Sequence, residues 1–518
     1  MAAALPFPRR FDWRGILLVG AAAFVGAISF QGSRGLFEST EGRYSECARE
    51  TMLSGNYDAP ILNGQPHWTK PPLTYMAIMA GMRVFGDSPW GVRAYLVAAM
   101  GLSALAIWLA GTSIWGPKAG LWAGLVFATS PVLAGAAHVV SADMLTAFWV
   151  AAATAAFWHG RAHRSPISCL AMWVFLGLGV LTKGPPALLV PAASLTLAAV
   201  MLRRNGGERP PSWLSWTGLV LFLAVGLLWY VEEAERTPGL LAYWIGDELI
   251  GRNLGGEFHR NPGFHHVFTM YLPILLLGAG PWLPLVVACG RPLRGWWAAP
   301  NDLSAEARAA RVSLAAGIAI PFVVFSLSKS KLPLYLAPLF VPLSLGLGRA
   351  IDVLIARGRL KTKMAWILMA AMLALIVVGK GIMAMQDRSK DMTRLAAVLI
   401  PALEREDATT LYTATGRNLN GLEFHLGRII PFVPPQNVFA HAGQRMQNGE
   451  TPLYVISSRN WKQIANKSPG DMRTVPLGRH WLLLAPRAPE AVGANDRSQT
   501  PAREPSDEHA PTPHEENP

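Results

Sequence analysis

Residues 71–87 read PPLTYMAIMAGMRVFGD, and whether this stretch crosses a membrane decides the topology of everything that follows it. It is apolar from Pro71 to Met82, then meets Arg83 and, past Gly86, Asp87. A helix needs roughly 20 mostly apolar residues to cross the hydrocarbon core. A run of about a dozen is short of that. The stretch is therefore expected to lie at the interface as an amphipathic or re-entrant helix.

Eleven other charge-poor windows approach the spanning length: 14–32, 93–113, 118–137, 142–160, 167–182, 185–202, 213–231, 268–289, 311–328, 332–350 and 363–384. With Arg9, Arg10 and Arg14 placed in the cytoplasm, alternate connections carry the basic residues. These are Lys118; Arg161 and Arg164; Arg203, Arg204 and Arg209; Arg291, Arg294 and Arg308; and Arg357, Arg359, Lys361 and Lys363. Cytoplasmic loops collect Lys and Arg, so this parity is the one expected. Counting 71–86 as a span would flip every later loop. The reading is a multi-pass α-helical membrane protein of about eleven spans. Its N-terminus is cytoplasmic, its outer loops lie at 33–92 and 232–267, and its C-terminal part is outside, in the periplasm if the cell is Gram-negative.

Composition agrees. Hydrophobic residues make up 51% and charged residues 15%, with a mean hydropathy of +0.27; soluble domains average about 25% charged residues. The net charge of +13 follows from the basic loops, and no zinc-finger spacing or long basic run points to nucleic acid. Cys47, Cys169 and Cys289 form no disulfide framework or metal motif. The N-terminal stretch lacks a small-residue cleavage site and reads as a retained first helix.

From about 387 the pattern changes. TLYTA (410–414), PLYVISS (452–458) and HWLLLAP (480–486) read as strands, with NLNGLEFHLG and RNWKQIANK as helices between them. The expected organisation is a membrane domain at 1–386, a small α/β domain at 387–488 and a disordered tail at 489–518.

The chemistry-bearing residues gather on the outer face. The first loop contains Glu41, Arg43 and Tyr44 at the start of a helix pattern, and Lys70 before two prolines. A surface amphipathic helix with solvated charges gives the same pattern. Asp143, Lys183, Lys329 and Lys331 fall at outer helix ends. Charge near a bilayer is costly, and a cluster of it marks a functional site. Asp143 also suits a helix N-cap, and Lys183 and Lys331 suit lysines snorkelling from helix ends. Trp68 and Trp244 lie in outer loops, where a sugar platform and an aromatic belt are both open readings.

The ordered motifs are E-G-R-Y, A-R-E, S-G-N-Y and N-G-x-P-x-W-x-K-P-P-L; then S-A-D-M-L-T-A-F (141–148), L-T-K-G-P (181–185), H-R-N-P-G-F-H-H, and S-K-L-P-L-Y-L-A-P from Ser330. Together they resemble the bacterial aminoarabinose transferase and protein O-mannosyltransferase-like group of type-C glycosyltransferases. The resemblance covers most of residues 1–345. It implies a type-C glycosyltransferase-like bundle with juxtamembrane helices, moving a sugar such as aminoarabinose from a polyprenyl-phosphate donor to lipid A, another lipid or glycan, or a protein. It also implies that Arg43, Lys70 and Tyr335 bind the lipid phosphate, and it adds weight to Lys183. Arg260 and Lys331 are further candidates by charge.

Glu41 and Asp143 are the candidate catalytic acids. The group usually carries an Asp-Glu pair at the first site, where this chain has Thr40 before Glu41. It often carries Glu, linked to a divalent metal, where this chain has Thr69. His265 and His266, with His259, are the expected ligands if a metal binds; His67 and His138 are weaker candidates. A transporter or flippase would explain the spans, but it predicts mid-membrane charge and an inverted repeat, and neither is visible. A non-catalytic scaffold would leave the first loop unexplained.

Overall fold

The computed structural model describes residues 12–204, 215–251, 260–289, 305–406, 410–467 and 472–487. His259, the basic residues Arg9, Arg10, Arg209, Arg291 and Arg294, and the expected tail lie outside them. The chain is a multi-pass helical membrane bundle joined to a small α/β unit.

All eleven windows contain helix. Among the described residues six helices are long and apolar enough to cross: Gly91–Trp115, Pro166–Lys183, Pro185–Arg204, Ala305–Leu327, Pro333–Ala356 and Thr362–Met385. Two bent pairs, Trp216–Gly226 with Leu228–Arg236 (44°) and Val267–Gly278 with Trp282–Cys289 (76°), raise the number to eight. The other three windows are helical as well. Trp13–Ile28 (α1) is only 16 residues long. Residues 118–137 break at Thr129-Ser130-Pro131 into Pro117–Ala128 (α5) and Pro131–Ala136 (α6). Asp143–His163 (α7) carries Asp143 in its first turn and Arg161 and His163 in its last.

The opening stretch forms Leu73–Phe85 (α3), 13 residues long, which at 1.5 Å per residue is about 20 Å and short of a membrane's thickness. It leads into the buried Ala94–Trp115 (α4), against which α1, α5 and α7 pack. Pro166–Lys183 (α8) lies on α7, and Phe340–Ala356 on α5.

Thr40–Ser54 (α2) overturns the surface-helix reading of the first loop. Glu41, Glu46 and Arg49 are 2%, 0% and 6% exposed. Arg49 grips Glu46 with two hydrogen bonds of 2.7 and 2.6 Å. Past its left-handed cap at Gly55, the loop makes a two-residue hairpin of Ile61–Leu62 (β1) on Gln65–Pro66 (β2). Asn63 and Gly64 turn it with φ of 55° and 71°, as a tight hairpin requires.

What buries α2 is the C-terminal unit. Its sheet runs Thr410–Ala414 (β3), Pro452–Ser457 (β4), Trp481–Pro486 (β6), Met472–Leu477 (β5), with β3 parallel to β4 and the other pairs antiparallel. Alternate residues feed two cores. Leu411, Leu453 and Val455 pack with Met392–Leu403 and Asn420–Leu426, and Tyr412, Tyr454 and Ile456 with Val438–Gln447 and Ser458–Ile464. The sequence reading missed β5, whose middle is largely exposed and contains Pro476, so it lacks an apolar run.

The unit docks through backbone. Lys390 O accepts from Glu38 N and Leu36 O from Met392 N, each at 2.9 Å. The Glu38 carboxylate accepts the Gly421 N–H. Gly42 faces that amide so closely that a Cβ there would collide with it. Burial pushes the Glu38 carboxyl up to about 7 against the lowering by the Gly421 bond and Arg417, and burial likewise takes Glu46 to about 7. Both acids hold protons in the fold that they release in the unfolded chain. Their stabilisation is complete below about 4.5 and is lost as pH rises through about 7. The melting temperature of the detergent-solubilised protein is expected to fall between about pH 4.5 and 7. In Glu38→Gln, which keeps an acceptor for Gly421 without the titration, the fall is expected to be smaller. Equal slopes for the two proteins would refute the role of Glu38.

Candidate active site

The first loop is anchored by one carboxylate. Glu41 accepts from Arg34 at 2.7 Å, from Arg93 at 3.1 Å on each oxygen, and from the backbone amides of Phe37 and Val140, each at 3.0 Å. Arg93 also donates to the carbonyls of Gln31, Arg34 and Gly35, and Arg34 to that of His138. Burial would push the Glu41 carboxyl up, but Arg93 and Arg34 reverse this and hold it below the ordinary carboxylate range. Every lone-pair direction is taken. The expectation of Glu41 as catalytic acid is therefore corrected to that of a buried keystone joining the end of α1, α2, the start of α4 and residues 138–140.

With the loop fixed, a cavity of about 190 Å³ opens between helix ends. Its wall includes Thr40, Arg43 and Tyr44 of α2, Trp68 to Pro71, Ser141 to Asp143, Lys183 to Pro186, Tyr230, Trp244, Glu248, Arg260 and Tyr335. Six of the residues singled out from sequence thus converge: Arg43, Lys70, Asp143, Lys183, Arg260 and Tyr335. Glu41 and Lys331 are not on the wall.

Asp143 opens α7 and Lys183 closes α8, and the two are hydrogen-bonded. Tyr95 fixes the approach to Asp143, donating to Ser141 O at 2.7 Å and accepting from Ser141 N at 3.1 Å. The Lys183 ammonium also stands 4.7 Å from the centre of the Tyr335 ring, within range of a cation–π contact. Lys70, held before Pro71 and Pro72, donates to Thr69 O at 2.7 Å and to Glu248 at 3.3 Å. Burial, then Arg43 and Lys70, push His67 down to about 4, so its ring is neutral at physiological pH.

Lys331 is a clip rather than a ligand. It is 2% exposed, and its ammonium donates to Ser328 O at 2.6 Å and Pro262 O at 3.1 Å. Its amide donates to Arg260 O at 2.8 Å. It thereby holds the segment that brings Arg260 to the wall. His265 and His266 stack on each other with ring centres 4.0 Å apart, away from the cavity. Among the described residues no group of three or more His, Cys, Asp or Glu is placed to hold a metal ion.

Sequence reasoning missed Glu248, which no motif marks; beside it Trp68 and Trp244, both singled out from sequence, form an aromatic corner with Trp229 and Tyr230. Trp68, Trp229, Tyr230 and Trp244 pack with ring centres 5.0–6.3 Å apart. Trp244 donates to Trp68 O at 3.0 Å, tying the second loop to the first.

Such a bundle, with a basic cavity between helix ends, is the architecture of the type-C glycosyltransferases. Residues 69–230 match the sequence model of the family described as dolichyl-phosphate-mannose-protein mannosyltransferase. Undecaprenyl phosphate-alpha-4-amino-4-deoxy-L-arabinose arabinosyl transferases are similar to it. That of Pseudomonas aeruginosa is 31% identical over 64% of this chain and 58% of its own length. That of Pseudomonas fluorescens is 30% identical over 62% of this chain and 54% of its own length. The chain thus spans little more than half the length of these relatives. In fold it is similar to ArnT from Cupriavidus metallidurans bound to undecaprenyl phosphate (TM-score 0.68, 20% identity, 92% of this chain and 98% of that one). The archaeal oligosaccharyltransferase AglB from Archaeoglobus fulgidus is more distant (TM-score 0.53, 11% identity, 93% of this chain and 75% of that one). The chain is related to the type-C glycosyltransferases of the aminoarabinose transferase and protein mannosyltransferase group, as its motifs imply.

Removing one member of a buried charge network costs about 3–5 kcal/mol. Glu41→Ala is therefore expected to lower the melting temperature by more than about 5 °C, whereas Asp143→Asn leaves it within about 2 °C. Thermal unfolding in detergent measures both. A stable Glu41→Ala protein would remove Glu41 from the keystone role.

Proposed function

We propose that the protein is a membrane glycosyltransferase. It transfers a sugar from a polyprenyl-phosphate donor to an acceptor on the outer side of the inner membrane. The observation that carries this reading is the convergence of Arg43, Lys70, Lys183 and Arg260 with Asp143 on one cavity at the helix ends. The sequence relatives, which use an undecaprenyl phosphate-linked sugar by name, support the donor class.

The chemistry follows from the side chains. The anomeric carbon's bond to the phosphate oxygen breaks, and the lipid phosphate leaves with the bonding electrons. Arg43 and Lys70 stabilise the charge that develops there, and Arg260 closes the site from the second loop. The acceptor oxygen attacks the opposite face, giving inversion, and Asp143 takes its proton. Lys183 orients Asp143 through their hydrogen bond, and the Tyr335 hydroxyl is a neutral donor to the phosphate. The acceptor is an outer-leaflet lipid such as lipid A, another glycan, or a protein.

The orientation belongs to the same reading. Helices that begin at the cavity, such as α4, α7 and Pro185–Arg204, run to Lys118, to Arg161 and Arg164, and to Arg203 and Arg204. Basic connections stay in the cytoplasm, which puts the cavity and the C-terminal unit outside. Alkaline phosphatase fused after residue 390 is expected to be active, and the same fusion after Lys118 inactive. The reverse pattern would overturn the orientation.

The activity test uses membranes holding the full chain, a radiolabelled undecaprenyl phosphate-linked sugar and an outer-membrane lipid extract. Wild type should transfer label. Asp143→Asn should lose about 100- to 10,000-fold in rate, with Lys70→Met and Arg43→Met losing at least about tenfold in kcat/KM. Label transfer by Asp143→Asn at the wild-type rate would remove Asp143 from the chemistry.

A further inference from the structure

The charge on the cavity wall says something about the sugar. Among the described residues two carboxylates line it, Asp143 and Glu248, and each is already paired with a lysine, Lys183 and Lys70 respectively. Arg43 and Arg260 add two further cations. The acid nearest in sequence, Glu41, is buried between two arginines off the wall, and Thr40 lines the cavity beside Arg43. Among the described residues the wall therefore carries an excess of two positive charges. One phosphodiester, with a single negative charge, offsets only part of it.

Inside about 190 Å³, an ammonium group on the sugar would lie within a few ångströms of these cations, with no uncommitted carboxylate among the described wall residues to meet it. Unlike charges buried together are paired, and like charges in one site repel. A hydroxyl at the same position would meet no such penalty. We infer that the donor sugar carries no positive charge, in contrast to the amino sugar named in the relatives. This rests on the donor reading above and narrows it to a sugar class.

The test compares two donors that differ at one group, undecaprenyl phosphate-linked L-arabinose and its 4-amino-4-deoxy counterpart. Each competes with labelled undecaprenyl phosphate for the purified full chain in nanodiscs. At pH 7 the amino donor is expected to bind at least tenfold more weakly, and the gap should close as pH rises and the amine loses its proton. Thr40→Asp, which adds a carboxylate to the wall, should narrow the pH 7 gap about tenfold. The wild-type comparison stands alone if that variant does not fold. Equal or tighter binding of the amino donor at pH 7, or a gap indifferent to pH, would overturn the inference while leaving the donor site intact. Failure of undecaprenyl phosphate itself to bind would overturn the donor reading and the inference with it.

Discussion

Taking the Glu41 carboxylate out of water is tolerable only because two guanidinium groups and two amides surround it. Neither arginine arrives alone. Arg93 comes with the first turn of α4, Arg34 with the strap after α1, and the amide of Val140 with the turn before α7. One buried charge thus forces three separate pieces of the bundle to meet in one geometry, and the two ends of α2 inherit it. Arg43 stands two residues along the same helix. Asp143 stands three residues beyond Val140. The cavity is the space left between elements that the keystone has already placed.

That dependence explains what was legible in the sequence. Helical windows could be read because apolar length is a local property, and Lys70, Asp143 and Lys183 because charge at a helix end is conspicuous against an apolar background. The role of Glu41 was not legible. A carboxylate that binds a phosphate-site partner and one that holds a loop together present the same letter in the same motif. Only the positions of Arg34 and Arg93, 7 and 52 residues away, separate the two. Lys331 misled for the same reason: a lysine at a helix end looks available until the carbonyls that enclose it are seen. Glu248 sits on a short helical turn with no sequence motif of its own, so only folding brings it to Lys70.

The two ion pairs on the wall give the site its character. Each lysine is held in place by an acid, so the cations are ordered before a ligand arrives, and less freedom remains to be lost on binding. Asp143 and Glu248 differ in what they are built on. Asp143 is fixed by its helix and by the Tyr95–Ser141 clasp, whereas Glu248 sits on the π-helical turn Trp244–Gly251, secured mainly through the aromatic corner. Asp143 faces the proposed chemistry, and Glu248 pairs with Lys70.

The pairing of Leu36–Glu38 with Lys390–Met392, and of Glu38 with Gly421, spans 383 residues in its longest link. Closing so long a loop costs little more than closing a shorter one, because the entropic penalty rises only with the logarithm of length. It does set an order of events. The helix that carries Arg43 leaves the ribosome long before the amide that seats it. Until Gly421 follows, the bundle holds that helix without its clamp, and the cavity takes its final shape only once that clamp has been delivered.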